Sequence, residues 1–176
     1  MSGHNKWSKI KRKKGAEDAK RSQIFSRLSK FITNESKKCN GDVSSPGLAT
    51  AIEAAKKENM TKETIERAVK KGTDTDTAAM ESVTYETYGP GGVAVIIEAL
   101  TDNKNRTSPE IRHILSKNGC ELSTPGSALW AFTRQDGEWI ANTTMELSEA
   151  DQEKLGDLFE KIEEHEDVQG VYTNAE

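Results

Sequence analysis

"VTYETYGPGGVAVIIEAL", residues 83–100, is the stretch that decides the fold. Its first six residues alternate in polarity, the period of a strand with one buried face. "GPGG", Gly89 to Gly92, then turns the chain, and "VAVIIEAL" continues as an apolar run of strand length. A β-hairpin with a buried second strand is predicted. The same glycines invite a phosphate-loop reading, but no Lys-Ser/Thr pair follows them. A strand also stands where that loop needs a helix, so the turn is the better reading.

Downstream, Thr107 and Glu110 have the spacing of a capping box for a helix carrying Ile111, Ile114 and Leu115, which stops at Gly119. Strands are expected near Cys120–Ser123 and Leu129–Phe132. "QDGE" predicts a tight turn into Trp139 and Ile140. Ser148 is placed to cap a last helix with Leu155, Leu158, Phe159 and Ile162 on one face, and "VQGVYT" reads as the closing strand. Strands paired by hairpins, with two helices over one sheet face, make an α+β fold with a mostly antiparallel sheet.

Upstream, the apolar period is helical. Ile24, Phe25, Leu28, Phe31 and Ile32 form one stripe from Ala16 onward, with Gly41 as the stop. Leu48, Ile52 and Ala55 mark a second helix. Thr61 caps a third, Met60 and Ile65 staple its start, and Gly72 ends it after Lys70 and Lys71. The expected organisation is an arm over residues 1–15, a three-helix domain over 16–72, a linker over 73–81 and the α+β domain over 82–176.

Charge is distributed unevenly. Residues 1–38 hold 12 basic and 3 acidic side chains, a net of +9, which leaves −13 for the rest of a chain whose total is −4. Residues 146–176 hold 11 acidic and 2 basic side chains. A polyanion-binding end and a solvating end are implied. No apolar run reaches the roughly 18–20 residues of a membrane span, and no secretory signal opens the chain, so a cytoplasmic protein is expected. Cys39 and Cys120 stand far apart without a partner motif, which suits a reducing compartment.

Catalytic and metal constellations are not evident. His4, His113 and His165 are scattered, and no nucleophile has a recognisable base beside it. No enzyme, cofactor or small-molecule substrate is implied. What remains is the arm, "GHNKWSKIKRKK", residues 3–14, with six Lys or Arg and no acid. His4, Lys6, Trp7, Lys9, Lys11, Arg12, Lys13 and Lys14, continued by Lys20 and Arg21, are the candidate nucleic-acid contacts. The cations would displace counterions from phosphates and Trp7 would stack on a base. Trp7 and Ile10 give too little apolar face for a membrane-surface segment.

"TDNKNRT", residues 101–107, stands between a buried strand and a helix. Asp102, Asn103, Lys104, Asn105 and Arg106, with Arg112 a turn further on, read in two ways. They form either a strand-to-helix connection or a second polar contact surface beside a helix N-terminus.

At these residues the chain resembles the YebC/PmpR family, which includes the mitochondrial translational activator of cytochrome oxidase subunit I. "GHNKWSKIKRKKGAEDAKRSQIFSRL" resembles its N-terminal signature, "ENMTKETIERAVKKG" its third-helix motif, "YETYGPGGVAVIIEALTDNKNRT" its central segment and "STPGSALWAF" the strand after it. Thr61 stands where the family often has Pro, Asn5 where Ser is usual, and Cys120 where Gly is usual. The resemblance implies a helical N-terminal domain followed by α/β domains, without catalysis. Members are described as DNA-binding transcriptional regulators, and some are similar to ribosome-associated translation factors that relieve stalling on proline-rich stretches. His4, Lys6, Trp7, Lys9, Lys11, Arg12, Lys20 and Arg21 match the basic motif. Gly89 to Gly92, Asp102, Asn103, Asn105, Arg106 and Thr107 match the central one. Usual members also insert a small α/β domain between the equivalents of "WAFTRQDGEW" and "TTMELSEADQEKL", which are almost contiguous here. The implied partner is DNA or the ribosome and its RNA.

Overall fold

The structure, a computed structural model, describes residues 17–176. Its described residues fall into two compact units, one ending at Glu81 and the other Ser82–Glu176. The architecture is mixed α and β, with the helices of the first unit preceding the strands of the second.

In the first unit, α1 (Glu17–Lys38), α2 (Pro46–Lys57) and α3 (Lys62–Thr73) pack around Ile32, Leu48, Ala51, Ala55, Met60, Ile65 and Ala68. Pro46 opens α2, where its missing N–H costs nothing. The Thr61 hydroxyl accepts from Thr64 N at 3.4 Å, and Met60 and Ile65 both lie buried in the core, as a staple requires. Beyond α1, Asn40 and Gly41 take positive φ, and Gly41 N donates to Ser36 O at 2.9 Å, a left-handed helix stop.

Gly72 does not end its helix. It lies buried inside α3, and a Cβ built there would stand 2.5 Å from Thr33 O and 2.5 Å from Ser36 Cβ of α1. Its role is close helix approach, not a C-cap. Around it, Thr33 Oγ1 donates to Ala68 O at 3.2 Å and Ser36 Oγ to Val69 O at 2.7 Å.

The second unit is built on a three-stranded sheet in the order β1 (Glu81–Tyr88), β2 (Ala94–Thr101), β5 (Val168–Thr173). β2 and β5 are antiparallel, with Val95 opposite Thr173 and Ile97 opposite Val171. The Gly89–Val93 turn is closed by Gly89 N to Val93 O at 2.8 Å, and Gly91 and Gly92 take the positive φ that Cβ-bearing residues disfavour. One sheet face, including Val95, Ile97 and Ala99, is covered by α4 (Lys104–Lys117) and α5 (Glu149–Glu163) through Ile111, Leu115, Leu155, Leu158 and Ile162. The Ser148 hydroxyl caps α5 by accepting from Asp151 N at 3.2 Å.

The other face carries Ala94 and Ile96. It is covered by Ala128, Ala131 and Phe132 and by the hairpin of β3 (Phe132–Gln135) and β4 (Glu138–Ala141). The two-residue turn Asp136–Gly137 has positive φ at both positions, a type I′ geometry. Two expected strands differ. Cys120–Ser123 contributes only a single bridge from Leu122 to Thr87, and Leu129–Ala131 is a 3-10 turn, so the strand begins at Phe132. At the second of these the reason is Glu86, whose carboxylate takes the N–H groups of Gly126, Ala128 and Leu129 out of any ladder.

Glu98 gathers the hairpin onto the sheet. It accepts from Trp139 Nε1 at 2.9 Å and pairs with Arg134 Nη2 at 3.2 Å, while Arg134 lies 5.2 Å over the Trp139 ring. Burial first, then the carboxylates of Glu98 and Glu138, push the Tyr172 hydroxyl up to about 12.

Candidate nucleic-acid interface

Asp102 to Arg106 enter α4 one turn earlier than the sequence suggests. Asn103, not Thr107, is the N-cap, and its side chain accepts from Arg106 N at 3.3 Å. Thr107 lies inside the helix and fully buried, donating to Asp167 Oδ2 at 2.7 Å and bonded to Thr101 Oγ1 at 2.8 Å. The expected capping box is therefore absent. A buried carboxylate in the turn before β5 competes for the Thr107 hydroxyl and wins it.

Arg106 is held by acids. Its Nη2 lies 2.9 Å from Asp167 Oδ2 and 3.1 Å from Asp102 Oδ1, with Glu110 and Glu166 each at 4.0 Å. The hydrogen bond to Asp167 and the charge of that carboxylate, then Asp102 and Glu166, raise the guanidinium above its ordinary value. His165 extends the cluster, with Nε2 2.9 Å from Glu110 Oε2 and Nδ1 accepting from Asp167 N at 3.1 Å. Asp102, Asn103 and Arg106 are thus brought together as the connection that locks α4 to the turn before β5. Lys104 and Asn105 are exposed on the first turn of α4, and Arg112 is exposed further along it.

The arm residues His4, Lys6, Trp7, Lys9, Lys11, Arg12, Lys13 and Lys14 lie outside the described residues. Lys20 and Arg21 stand on α1, Lys20 half-buried and Arg21 exposed with its guanidinium 5.3 Å over the Phe25 ring. Arg27, also on α1, is half-buried, and burial lowers its guanidinium from the usual value.

Sequence reasoning missed a further cationic face. Arg67, Lys70 and Lys71 occupy positions i, i+3 and i+4 of α3, all exposed, and Lys56 and Lys57 are exposed at the end of α2. None of these five makes an ion pair among the described residues. The signal was available in the spacing, since residues three and four apart share one helix face.

It also missed Glu86. The alternation of "VTYETY" sets Glu86 and Tyr88 on the face opposite Val83 and Tyr85, and Glu86 is buried there. Its carboxylate accepts from Gly126 N at 2.6 Å, Ala128 N at 2.7 Å and Leu129 N at 2.9 Å. The loop so anchored presents Trp130, which is 61% exposed and donates Nε1 to Tyr88 OH at 3.1 Å. The Tyr88 hydroxyl donates in turn to Ser127 O. Among the described residues, no group of three or more His, Cys, Asp or Glu side chains could hold a metal ion. No described helix is long and apolar enough to cross a membrane.

Comparison with known proteins places this arrangement. A family model described as the TACO1/YebC protein N-terminal domain matches residues 5–75. A second, the TACO1/YebC second and third domain, matches in two pieces, 80–137 and 134–175. The pieces meet where the sequence is read as lacking an inserted domain. A "probable transcriptional regulatory protein" of Desulfatibacillum aliphaticivorans is 46% identical over 183 residues, covering 97% of this chain and 74% of the relative. Another, from Petrotoga mobilis, is 52% identical over 137 residues, 77% of this chain and 55% of the relative. The crystal structure of a conserved hypothetical protein from Aquifex aeolicus superposes with a TM-score of 0.83 at 30% identity, covering 97% of this chain and 96% of that one. With both family models matched along nearly the whole sequence, the chain belongs to the TACO1/YebC family.

Proposed function

We propose that this protein is a non-enzymatic, nucleic-acid-binding regulator of gene expression, acting as a DNA-binding transcriptional regulator. The observation that carries the reading is the set of exposed cations on the helical unit, Lys56 and Lys57 at the end of α2 and Arg67, Lys70 and Lys71 on α3, next in sequence to an arm with six further cations. A phosphate backbone that binds such cations releases counterions. The names borne by the relatives point the same way. Lys6, Lys9, Lys11, Arg12, Lys13, Lys14, Lys20 and Arg21 supply phosphate contacts, and His4 and Trp7 approach the bases. Lys104, Asn105 and Arg112, all exposed, are the members of the second loop proposed as ligand contacts, while Asp102, Asn103 and Arg106 serve the fold.

Replacing Lys11, Arg12, Lys13 and Lys14 together by Ala is expected to weaken binding and to flatten the slope of log affinity against log salt by about 3–4 for duplex DNA, near 0.9 per contact. Folding should be unchanged, since none of the four is apolar. A slope equal to that of the unaltered protein refutes the arm as the grip.

A second reading is a ribosome-associated translation factor, favoured by an arm that carries a lone Trp among its cations and by the lack of a helix-turn-helix signature in the sequence. Sedimentation of a cell lysate through sucrose after DNA digestion separates the two. Retention on chromosomal fragments, abolished by the digestion, is the result expected of a transcriptional regulator. Co-migration with ribosomes that survives digestion assigns the translational role.

A further inference from the structure

The Ser82–Glu176 unit holds 18 acidic and 7 basic residues, yet one part of it has no charge at all. Three uncharged stretches, Thr87–Ile97, Leu122–Thr133 and Trp139–Met145, meet around Trp130. Tyr88 takes its indole N–H, and Asn142 Nδ2 donates to Trp130 O at 3.3 Å while Asn142 N donates to Ala131 O at 2.8 Å. Of the two tryptophans in the unit, Trp139 is half-buried, its N–H given to Glu98 and Arg134 lying over its ring. Trp130 is open, with Tyr88 beside it 38% exposed.

The fold holds this exposed ring rigidly. The hydrogen bonds from Trp130 through Tyr88 to Ser127, and the three N–H groups on Glu86, fix the loop from both sides. The edge donor of the indole is already used, so what the ring still offers a ligand is its π face. A flat, uncharged partner fits that offer. A cationic peptide finds no open carboxylate here, since that of Glu86 is buried under three N–H groups, and is drawn to those elsewhere on the unit. An isolated phosphate finds no cation among the three stretches.

We propose that Trp130 is a stacking platform for an unpaired base of single-stranded nucleic acid. The inference rests on the nucleic-acid reading above and deepens it. Trp130 selects bases that are free to leave a stack, whereas the phosphate contacts of that reading are indifferent to strandedness. Because every base has a π face, the selection is for single strands, not for sequence.

The test is fluorescence anisotropy of the full 176-residue chain with labelled oligouridine, oligothymidine and an RNA duplex of equal length. Trp130→Ala is expected to weaken binding to the single strands roughly ten- to a hundred-fold, the range for removal of one aromatic stack. Duplex affinity and the salt slope should stay unchanged, since no phosphate contact is lost. Trp130→Phe keeps a flat ring and should restore most of the affinity, which separates stacking from any disturbance of the loop. Loss on one single strand alone tells whether RNA or DNA is the natural source of the base. If the unaltered protein binds oligouridine or oligothymidine and Trp130→Ala binds it equally well, the platform is refuted and the open ring is left for a protein partner. An equal loss on duplex and single strand refutes it too. If the unaltered protein binds no nucleic acid, the underlying reading fails with it, a result visible before any variant is made.

Discussion

Glu86→Ala is expected to destabilise the Ser82–Glu176 unit by about 3–5 kcal/mol, because three backbone N–H groups lose their acceptor at once. The carboxylate is 3% exposed and accepts three backbone N–H groups. Those donors point inward, and no other side chain is bonded to them. Removing the acceptor leaves buried N–H groups unsatisfied, at about 1–3 kcal/mol each where water cannot enter. Water will reach some of them, so the penalty falls short of their sum. Glu86→Gln keeps one acceptor oxygen but turns an amide N–H₂ against backbone donors, so it should recover less than half of the loss. Urea denaturation gives the stability, and amide exchange at Gly126, Ala128 and Leu129 gives the local effect. A change below about 1 kcal/mol, or unaltered protection at those three amides, would show that the carboxylate is not what holds the loop.

The second large effect concerns Gly72, where two physical terms have opposite signs. Alanine in place of an exposed helical glycine gains about 1 kcal/mol of helix propensity. At position 72 the new methyl would stand 2.5 Å from Thr33 O, a backbone atom that cannot rotate away. Relief requires moving α1 off α3, which breaks the Thr33 and Ser36 hydrogen bonds to Ala68 O and Val69 O. Overpacking of this kind costs about 1–3 kcal/mol, more when backbone must shift. The net expectation for Gly72→Ala is a loss of about 2 kcal/mol from the helical unit, measured by denaturation followed by circular dichroism. The sign decides the matter. A stabilised variant would mean that Gly72 only terminates its helix, as the sequence alone suggests.

That example shows what the sequence could and could not disclose. Helix stripes, the Thr61 and Ser148 caps, the "GPGG" turn and the "QDGE" turn were legible because each depends on residues within a few positions of one another. Gly72, Thr107 and Glu86 were not, because each answers to a partner far along the chain. Gly after two lysines is the ordinary mark of a helix end, and only the proximity of α1 gives it another purpose. Thr107 followed by Glu110 satisfies the capping pattern, but Asp167, 60 positions later, claims the hydroxyl. Glu86 sits at an alternating position that would face water if the loop 126–129 did not fold over it. Of the candidate site, Arg106 was legible as a charged residue, but the four acids around it were scattered through the sequence. Lys70 and Lys71 were read only as helix-end cations, and Arg67, legible in the same spacing, was not singled out.

The strand order β1-β2-β5 also sets a schedule for synthesis. The centre of the sheet, β2, is completed by a strand whose pairing partner lies far ahead of it, as in the bond from Ala94 N to Asn174 Oδ1 across 80 positions. Contacts so distant close slowly, and chains emerge from the ribosome N-terminus first. The helical unit needs nothing beyond Glu81 to complete its own core. During translation the helical unit therefore matures while the acidic unit is still an unfinished nascent chain.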